Sequence, residues 1–224
     1  MGSLIEEVSL RDKLYIFENR QEAGQLLAEK LLKYKGYDGI VLAIPSGGVP
    51  VGKEIADILN LPMDLIIVRK IQIPYNPEAG FGAVDPDGEV ILNEGLSSQL
   101  RLTKEEIEAQ KKKTLDVIKR RNEIFRGNRL FPSLKGKIVI VVDDGLASGY
   151  TMLSAIKYIK KRNPSKAIIA VPTGSQRTVE FILPEVDELV CLNIRSGFTF
   201  AVADTYIKWY DLNDDEVISL LRNR

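Results

Sequence analysis

The chain has 224 residues, of which 45% are hydrophobic and 28% charged, and 31 Lys and Arg balance 31 Asp and Glu. This composition is typical of a folded globular protein, and a zero net charge offers no overall attraction to nucleic acid. The chain has no histidine and one cysteine, Cys191, which excludes within it Ser-His-Asp and Cys-His catalytic groups, an internal disulfide and histidine-based zinc sites. Any bound metal is therefore expected to be a hard cation held by oxygen, which favours Mg²⁺.

Membrane and secretory signals are lacking in this sequence. No stretch approaches the roughly 20 consecutive apolar residues of a membrane helix, and the first residues do not show a basic segment followed by an apolar one. Cys191 lies in the apolar run ELVCL, which indicates a buried small hydrophobe. We therefore expect a cytoplasmic protein with no membrane and no nucleic-acid partner.

The first half of the chain predicts alternating helices and strands. Asn19, with Glu22 three residues later, indicates the start of a helix that ends before Gly36. The segments that follow are predicted as a strand (39–44), a helix (51–59), a second strand (64–70), a flexible loop rich in Pro and Gly (71–82), and a hairpin turn (85–88) with its return strand (90–93).

The second half continues the alternation after one long polar helix. Thr103 and Glu106 form a capping box that opens this helix, which runs to about Phe125. Its basic residues Lys111–Lys113 and Arg120–Arg121 are interpreted as a solvated face. Three apolar strands (138–143, 167–172 and 187–192), a clear helix (151–163) and a short final helix (215–222) complete the predicted elements.

This alternation predicts an α/β fold with three α/β/α layers around a mainly parallel central sheet. We expect one domain over residues 1–224, in which 71–130 carries the loop, the hairpin and the long helix. In such sheets ligands bind at the carboxyl ends of the strands, where the strand order reverses. The loops that follow the strands are therefore the places to search for chemistry.

The stretch VVDDGLASGYT (141–151) ends an apolar strand with Asp143 and Asp144 and continues into a loop of small residues. Backbone N–H groups in such a loop, at the start of a helix, bind phosphate. Ser148 and Thr151 add hydroxyl donors, whereas the two acids suit ribose hydroxyls or Mg²⁺ waters. The stretch predicts a ligand with a phosphate at one end and a diol beside it; the alternative is a tight turn with two solvated acids.

Two further loops follow predicted strands. AIPSGGVPVG (43–52) nearly matches a nucleotide P-loop, but Glu54 replaces the Mg²⁺-binding hydroxyl and Pro50 removes a backbone donor. Gly47 and Gly48 still allow close backbone approach to an anion. Arg69 and Lys70 at the end of the second strand suit a pyrophosphate, and an ordinary surface pair is the alternative.

Together these motifs resemble the type I phosphoribosyltransferases, and most closely a group of uncharacterised members of that family. VVDDGLASGYT is similar to the family's motif for 5-phosphoribosyl-1-pyrophosphate (PRPP), and PSGGVPVG is similar to its pyrophosphate loop. VRKIQIPYNPEAGFGAV and the C-terminal Phe200–Val202, Tyr210 and Asp214–Val217 extend the likeness over most of the chain. The resemblance implies the 39–44 strand beside the 138–143 strand, a cis peptide in the pyrophosphate loop, and a small hood of terminal segments over the base.

The resemblance also implies a transferase that moves phosphoribosyl from PRPP to a nitrogenous acceptor with Mg²⁺-dependent release of pyrophosphate. Asp143 and Asp144 are expected to hold the ribose hydroxyls and the metal, with Lys70 as a further catalytic group. The other expected PRPP contacts are Ser46, Gly47, Gly48, Arg69, Gly145, Ala147, Ser148, Gly149, Tyr150 and Thr151. Phe198 and Phe200, with Tyr206 and Trp209 nearby, either stack on the base or seal the core.

Two residues depart from the family pattern. Ser46 stands where related sequences often carry Arg, so that one pyrophosphate contact is replaced, with Arg69 or Lys70 as a substitute. Ala147 stands where the 6-oxopurine enzymes carry Asp, which disfavours hypoxanthine and guanine as acceptors. A non-catalytic protein that senses PRPP or nucleotides is the alternative function, and a homodimer is compatible with the resemblance.

Overall fold

The computed structural model describes residues 2–127, 129–197 and 199–222, without the side chains of residues 77 and 78. The strands are β1 (Ser3–Glu6), β2 (Gly39–Ala43), β3 (Met63–Leu65), β4 (Arg69–Ile73), β5 (Asn76–Val84), β6 (Val90–Leu92), β7 (Ile138–Val142), β8 (Lys166–Ser175) and β9 (Glu188–Arg195). The α-helices are α1 (Arg20–Leu31), α2 (Gly48–Leu59), α3 (Glu94–Gln99), α4 (Lys104–Arg126), α5 (Tyr150–Lys160), α6 (Gln176–Ile182) and α7 (Asp214–Arg222).

Six strands form a parallel sheet in the order β1-β9-β8-β7-β2-β3. Alternate residues of β7 pack into different cores, because successive strand side chains point to opposite faces. Val139 and Val141 join a core that includes α5 and α6, whereas Ile140 and Val142 join a core that includes α1 and α2. The predicted three-layer α/β/α fold and the predicted pairing of the 39–44 and 138–143 strands are therefore confirmed.

The helix starts follow their caps. Asn19 accepts a hydrogen bond from the Glu22 amide at 3.0 Å and opens α1, and Thr103 with Glu106 forms the predicted capping box of α4. Helix α2 begins at Gly48, three residues before the predicted start. Within the described residues, every helix is too short or too polar to cross a bilayer.

The region after β3 differs most from the prediction. The predicted strand 64–70 is wrong as a single strand: β3 ends at Leu65, and β4 starts at Arg69 in a separate antiparallel sheet of order β4-β5-β6. The predicted irregular loop 71–82 is also wrong, because most of it lies in β4 and β5. Ile71 and Phe81 are fully buried in a third core with residues of α4 and α7, and this burial holds the two strands against the domain.

The two terminal regions run side by side next to the carboxyl edge of the sheet. The amide of Tyr15 donates to the Asp204 carbonyl at 2.8 Å, and the amide of Ile207 donates to the Phe17 carbonyl at 2.8 Å. Phe17 and Tyr206 are both buried. This pairing lies where the hood is expected, and its role over a base stays a prediction.

Helix α4 is fixed to the edge of the sheet by a buried ion pair. Arg126 is 5% exposed and donates through Nε and Nη2 to the two carboxylate oxygens of Asp64, each at 2.9 Å. Such a bidentate pair is geometrically specific, and removing one member leaves a buried charge without a partner. The pair therefore determines where the rest of α4 lies.

We expect Arg126→Ala to lower the free energy of unfolding by about 3–5 kcal/mol, because Asp64 loses its counter-charge. Lys119→Ala, an exposed change on the same helix, is the control, with an expected effect of about 0.5 kcal/mol or less. Urea unfolding followed by circular dichroism measures both. Equal stability of the two variants would contradict this role of the ion pair.

Candidate active site

Two loops meet where the strand order of the parallel sheet reverses. Ala43 at the end of β2 pairs with Val142 at the end of β7, and the Ile44 amide donates to the Val142 carbonyl at 2.8 Å. A Cβ on Gly47 would lie 1.9 Å from Oδ2 of Asp144, and one on Gly48 would lie 2.6 Å from the Val142 carbonyl oxygen. Both glycines are thus required by the contact between the loops. The Pro45–Ser46 peptide is cis, as the resemblance implied.

Asp144 is held by an arginine that the sequence analysis did not single out. Nε of Arg20 donates to Oδ2 of Asp144 at 2.8 Å, and Nη1 donates to the Tyr210 carbonyl at 3.0 Å. The guanidinium of Arg20 lies 4.0 Å from the centre of the Trp209 ring, and the residue is 5% exposed. The hydroxyl of Tyr206 donates to the Asp144 carbonyl at 2.8 Å. The second acid of the pair is therefore neutralised and immobilised from α1 and from the C-terminal segment.

A sequence signal for Arg20 exists, although it is weak. Arg20 is the first residue of α1, where the positive end of the helix dipole disfavours a cation. A buried arginine at this position indicates a specific carboxylate partner. Its identity depends on contacts 124 residues apart in the chain, which no local pattern reveals.

The two acids have different electrostatic environments. Burial raises the pKa of Asp143 well above its usual value, and the neighbouring charge of Asp144 raises it further. Burial also raises the pKa of Asp144, but the Arg20 guanidinium opposes this shift. Oδ1 of Asp143 accepts the Asp144 amide at 2.9 Å. Asp143 is thus the acid whose ionised form is stabilised by the arrival of a cation.

A continuous cleft lies over the two loops. Its first cavity, of about 530 Å³, is of the size that small-molecule sites have. Its lining includes the predicted residues Ser46, Gly47, Arg69, Lys70, Asp143, Asp144 and Thr151. A second cavity, of about 420 Å³, shares Lys70, Asp143 and Thr151 with the first and adds the predicted Gly145, Ala147, Ser148 and Gly149.

The loop of the second cavity leads into the N-terminus of α5. Gly149, at φ 82°, is the cap residue of α5, and its left-handed conformation favours glycine. A Cβ on Gly145 would lie 2.7 Å from the Val202 side chain, and the Leu146 amide donates to the Thr173 carbonyl at 2.8 Å. Strand β8 and the C-terminal segment thus fix the loop. Its helix N-terminus faces the cavity with partial positive charge, which suits a phosphate.

Two predicted residues lie apart from these cavities. The Gly48 amide donates to the Ile44 carbonyl at 3.0 Å, and the residue is buried. The Tyr150 side chain lines a neighbouring hollow and lies 5.7 Å from the Phe181 ring. Gly48 therefore packs the loop, and Tyr150 faces away from the shared cleft.

Cationic side chains of the small antiparallel sheet and of α4 line the cleft. Arg69 and Lys70 begin β4 instead of ending a strand of the parallel sheet, yet both line the first cavity. The interpretation of Arg120–Arg121 as a solvated face is wrong for Arg121, whose side chain is 20% exposed and lines the same cavity. Arg120 is exposed, as predicted.

The predicted base-pocket aromatics are only partly described. Phe198 lies outside the described residues. Phe200 is half-buried, with the Arg195 guanidinium 5.7 Å from its ring centre. Tyr206 is buried beneath Asp144, and Trp209 lines the first cavity beside Arg20. Their contact with a base stays a prediction.

The fold and the site together define a doubly wound α/β protein with a cleft lined by cations, acids and small-residue loops at the switch point of its parallel sheet. The phosphoribosyl transferase domain family model matches residues 14–205. The chain therefore belongs to the phosphoribosyltransferase family.

Named relatives agree with this assignment. A Mycobacterium tuberculosis H37Rv protein named "Putative phosphoribosyl transferase Rv0571c" is 37% identical over 206 residues, which are 92% of this chain and 46% of the relative. The chain thus spans about half the length of the curated relatives it matches first. The crystal structure of TT1426 from Thermus thermophilus is 33% identical with a TM-score of 0.74, over 92% of this chain and 97% of that one. A uracil phosphoribosyltransferase of Aquifex aeolicus is 37% identical over 84 residues, 32% of this chain and 40% of the relative.

The unequal environments of the acids generate a prediction about stability. The folded-state pKa of Asp143 lies above its unfolded value of about 3.9, so stability falls as the pH rises between the two values and the penalty is complete above the folded pKa. Asp143→Asn removes this penalty and is expected to raise the melting temperature, more at pH 8 than at pH 5. Asp144→Asn leaves the buried Arg20 without its counter-charge and is expected to cost about 3 kcal/mol.

Thermal unfolding of both variants at pH 5 and pH 8 measures these effects. Asp116→Asn, on the exposed side of α4, is the control and should not change the melting temperature. The assignment of the two roles would be wrong if both active-site variants shifted stability in the same direction.

Proposed function

We propose that this protein transfers the 5-phosphoribosyl group of PRPP to a nitrogenous acceptor and releases pyrophosphate. The observation that carries the proposal is the order of groups along the cleft. Arg69, Arg121 and the Ser46–Gly47 loop line one end, Lys70 and Asp143 lie where the two cavities meet, and the loop before α5 lines the other end. PRPP has the matching order: a pyrophosphate, a sugar diol and a 5-phosphate.

Each group of residues in the cleft is assigned to one part of PRPP. The backbone of residues 147–151 and the hydroxyls of Ser148 and Thr151 hold the 5-phosphate. Asp143, steadied by the Arg20–Asp144 pair, accepts hydrogen bonds from the ribose hydroxyls. Arg69 and Lys70 neutralise the charge that collects on the pyrophosphate oxygen as the C1–O bond breaks and the C1–N bond forms. The transition state has oxocarbenium character, as in glycoside hydrolysis.

The acids also fit a magnesium ion that arrives with the substrate. Among the described residues no group of three or more metal-binding side chains is found, and Mg²⁺ characteristically uses one or two carboxylates, substrate phosphates and water. Asp143 and Asp144 supply hard oxygen donors, and the raised pKa of Asp143 indicates that a nearby cation would stabilise its ionised form. When bound, Mg²⁺ would stabilise the negative charge of the departing pyrophosphate.

The acceptor is the least defined part of the proposal. Ala147 is exposed at the edge of the second cavity and offers no carboxylate to an incoming purine, so we expect adenine-type or pyrimidine acceptors before 6-oxopurines. The acceptor proton would leave to water, to a backbone carbonyl or to pyrophosphate. The likeness to a uracil phosphoribosyltransferase places uracil among the first acceptors to test. Cytoplasmic location, a homodimer and the absence of a nucleic-acid partner stay predictions.

Calorimetry with PRPP, with and without Mg²⁺, is the primary test. We expect Mg²⁺-dependent binding and a loss of roughly 100-fold or more in affinity for Asp143→Asn, because the diol and the metal lose their charged acceptor. Pyrophosphate release is then screened with uracil, adenine, orotate, hypoxanthine and guanine as acceptors.

Asp116→Asn is the matched control and should retain full binding. PRPP binding without turnover of any acceptor would favour the sensing function that Ser46 in the pyrophosphate loop suggests. No affinity for PRPP in the presence of Mg²⁺ would reject both functions.

A further inference from the structure

Arg121 brings a cation into the cleft from an element that is not part of the parallel sheet. It lies in the C-terminal half of α4 and is 20% exposed, whereas its neighbour Arg120 is exposed to solvent. Buried apolar residues on either side, Ile118 and Phe125, pack α4 into the third core. The orientation of Arg121 toward the cleft thus follows from the way in which the helix is packed.

Two contacts orient the guanidinium of Arg121. Its Nη1 lies 3.5 Å from the Pro45 carbonyl oxygen, and its Nη2 lies 3.6 Å from Oδ1 of Asp214, the first residue of α7. The first distance is at the long limit for a hydrogen bond, and the second is that of an ion pair without a hydrogen bond. A guanidinium has five N–H donors, so these two long contacts leave it the capacity to bind an anion.

Arg69 and Arg121 form a pair of like charges across the first cavity. Burial lowers the pKa of Arg69, and the charge of Arg121 lowers it further. Asp214, which lies 3.6 Å from Arg121, raises the pKa of Arg69 and so opposes both effects in part. Two half-buried guanidinium groups repel each other, and a ligand with more than one negative charge between them would offset the repulsion that the single charge of Asp214 leaves.

The position of the pair indicates which part of a ligand it meets. Pro45, whose carbonyl Arg121 approaches, directly precedes Ser46 and Gly47 in the loop at the pyrophosphate end of the cleft. Ser46 supplies only a neutral hydroxyl at this end. A multiply charged group there would contact the loop on one side and the two arginines on the other.

We propose that Arg121, oriented by Asp214, binds the pyrophosphate group of PRPP together with Arg69 and supplies the charge that Ser46 does not. This inference rests on the proposed function for the identity of the ligand. It assigns a substrate-binding role to α4 and an orienting role to α7. It also predicts that binding of the pyrophosphate group depends on Arg121, whereas binding of the 5-phosphate at the other end of the cleft does not.

Arg121→Ala tests the proposal in the full chain, with Arg120→Ala as the matched control. Calorimetry with Mg²⁺ measures the affinities for PRPP, pyrophosphate and ribose 5-phosphate. We expect Arg121→Ala to weaken PRPP and pyrophosphate roughly tenfold or more and to change ribose 5-phosphate less than about twofold. Arg120→Ala should match the wild type, and Arg121→Lys should recover part of the lost affinity because it keeps the charge but not the planar guanidinium.

Unchanged affinities for PRPP and pyrophosphate in Arg121→Ala would overturn the proposal, as would an equal loss for ribose 5-phosphate, which would indicate a structural role. Arg121→Gln, which keeps most of the side-chain volume, replaces the alanine variant if the latter fails to fold. A wild type that binds pyrophosphate but not PRPP would reject the proposed function while the Arg121 comparison with pyrophosphate still holds. A wild type that binds neither would reject both.

Discussion

The contact between Gly47 and Asp144 is the constraint on which the site depends. The loops after β2 and β7 approach so closely that a single methyl group on Gly47 would overlap the Asp144 carboxylate. Arg20 holds that carboxylate from the other side, and the Trp209 ring covers the guanidinium. A carboxylate packed between a glycine and a buried arginine has little freedom to move. The position of the acidic turn, and with it Asp143, is therefore determined before any ligand binds.

This arrangement places the adjacent Asp143 and Asp144 in different environments. Asp144 forms part of the structure, because its charge is matched by Arg20 and its carbonyl by the Tyr206 hydroxyl. For Asp143, burial and the charge of the second acid outweigh the opposing charge of Arg20, so that its pKa is raised. Buried carboxylates whose ionisation is disfavoured occur preferentially at functional sites, where a bound ligand offsets the cost of the charge. Under the proposed function, Asp143 would be the acid that contacts the sugar, and Asp144 would position it in addition to offering an oxygen to the metal.

Most strands of the parallel sheet and the small-residue loop before α5 could be predicted from sequence because their signals are local. Runs such as GIVLAI and IVIVVD are apolar on both faces, which is typical of strands covered by helices on each side. The pair Asp143–Asp144 followed by small residues and hydroxyls predicted a candidate site without any knowledge of the sheet order, and the structure places this turn in the cleft. Capping residues likewise indicated the starts of α1 and α4.

The small antiparallel sheet could not be predicted in the same way. Its first strand follows β3 after only three residues, so the segment DLIIVRK (64–70) predicts one strand. Its Pro and Gly residues indicate a loop, yet burial of Ile71 and Phe81 against α4 and α7 stabilises strands there. Tertiary packing has overridden local propensity at this point, and the result is that Arg69 and Lys70 lie on a wall of the cleft.

The cations that sequence reasoning missed share one physical cause. Arg20 and Arg121 are each placed by partners more than 70 residues away in the chain, Asp144 and Pro45 respectively. An arginine on a polar helix is normally solvated; the position of Arg20 at the start of α1 is a weak local signal, and α4 carries none for Arg121. The positive charge at the carboxyl edge of the sheet therefore derives from three separate elements: α1, β4 and α4. Because α4 and α7 pack in the same core as β4, the positions of Arg69 and Arg121 depend on one shared set of packing contacts.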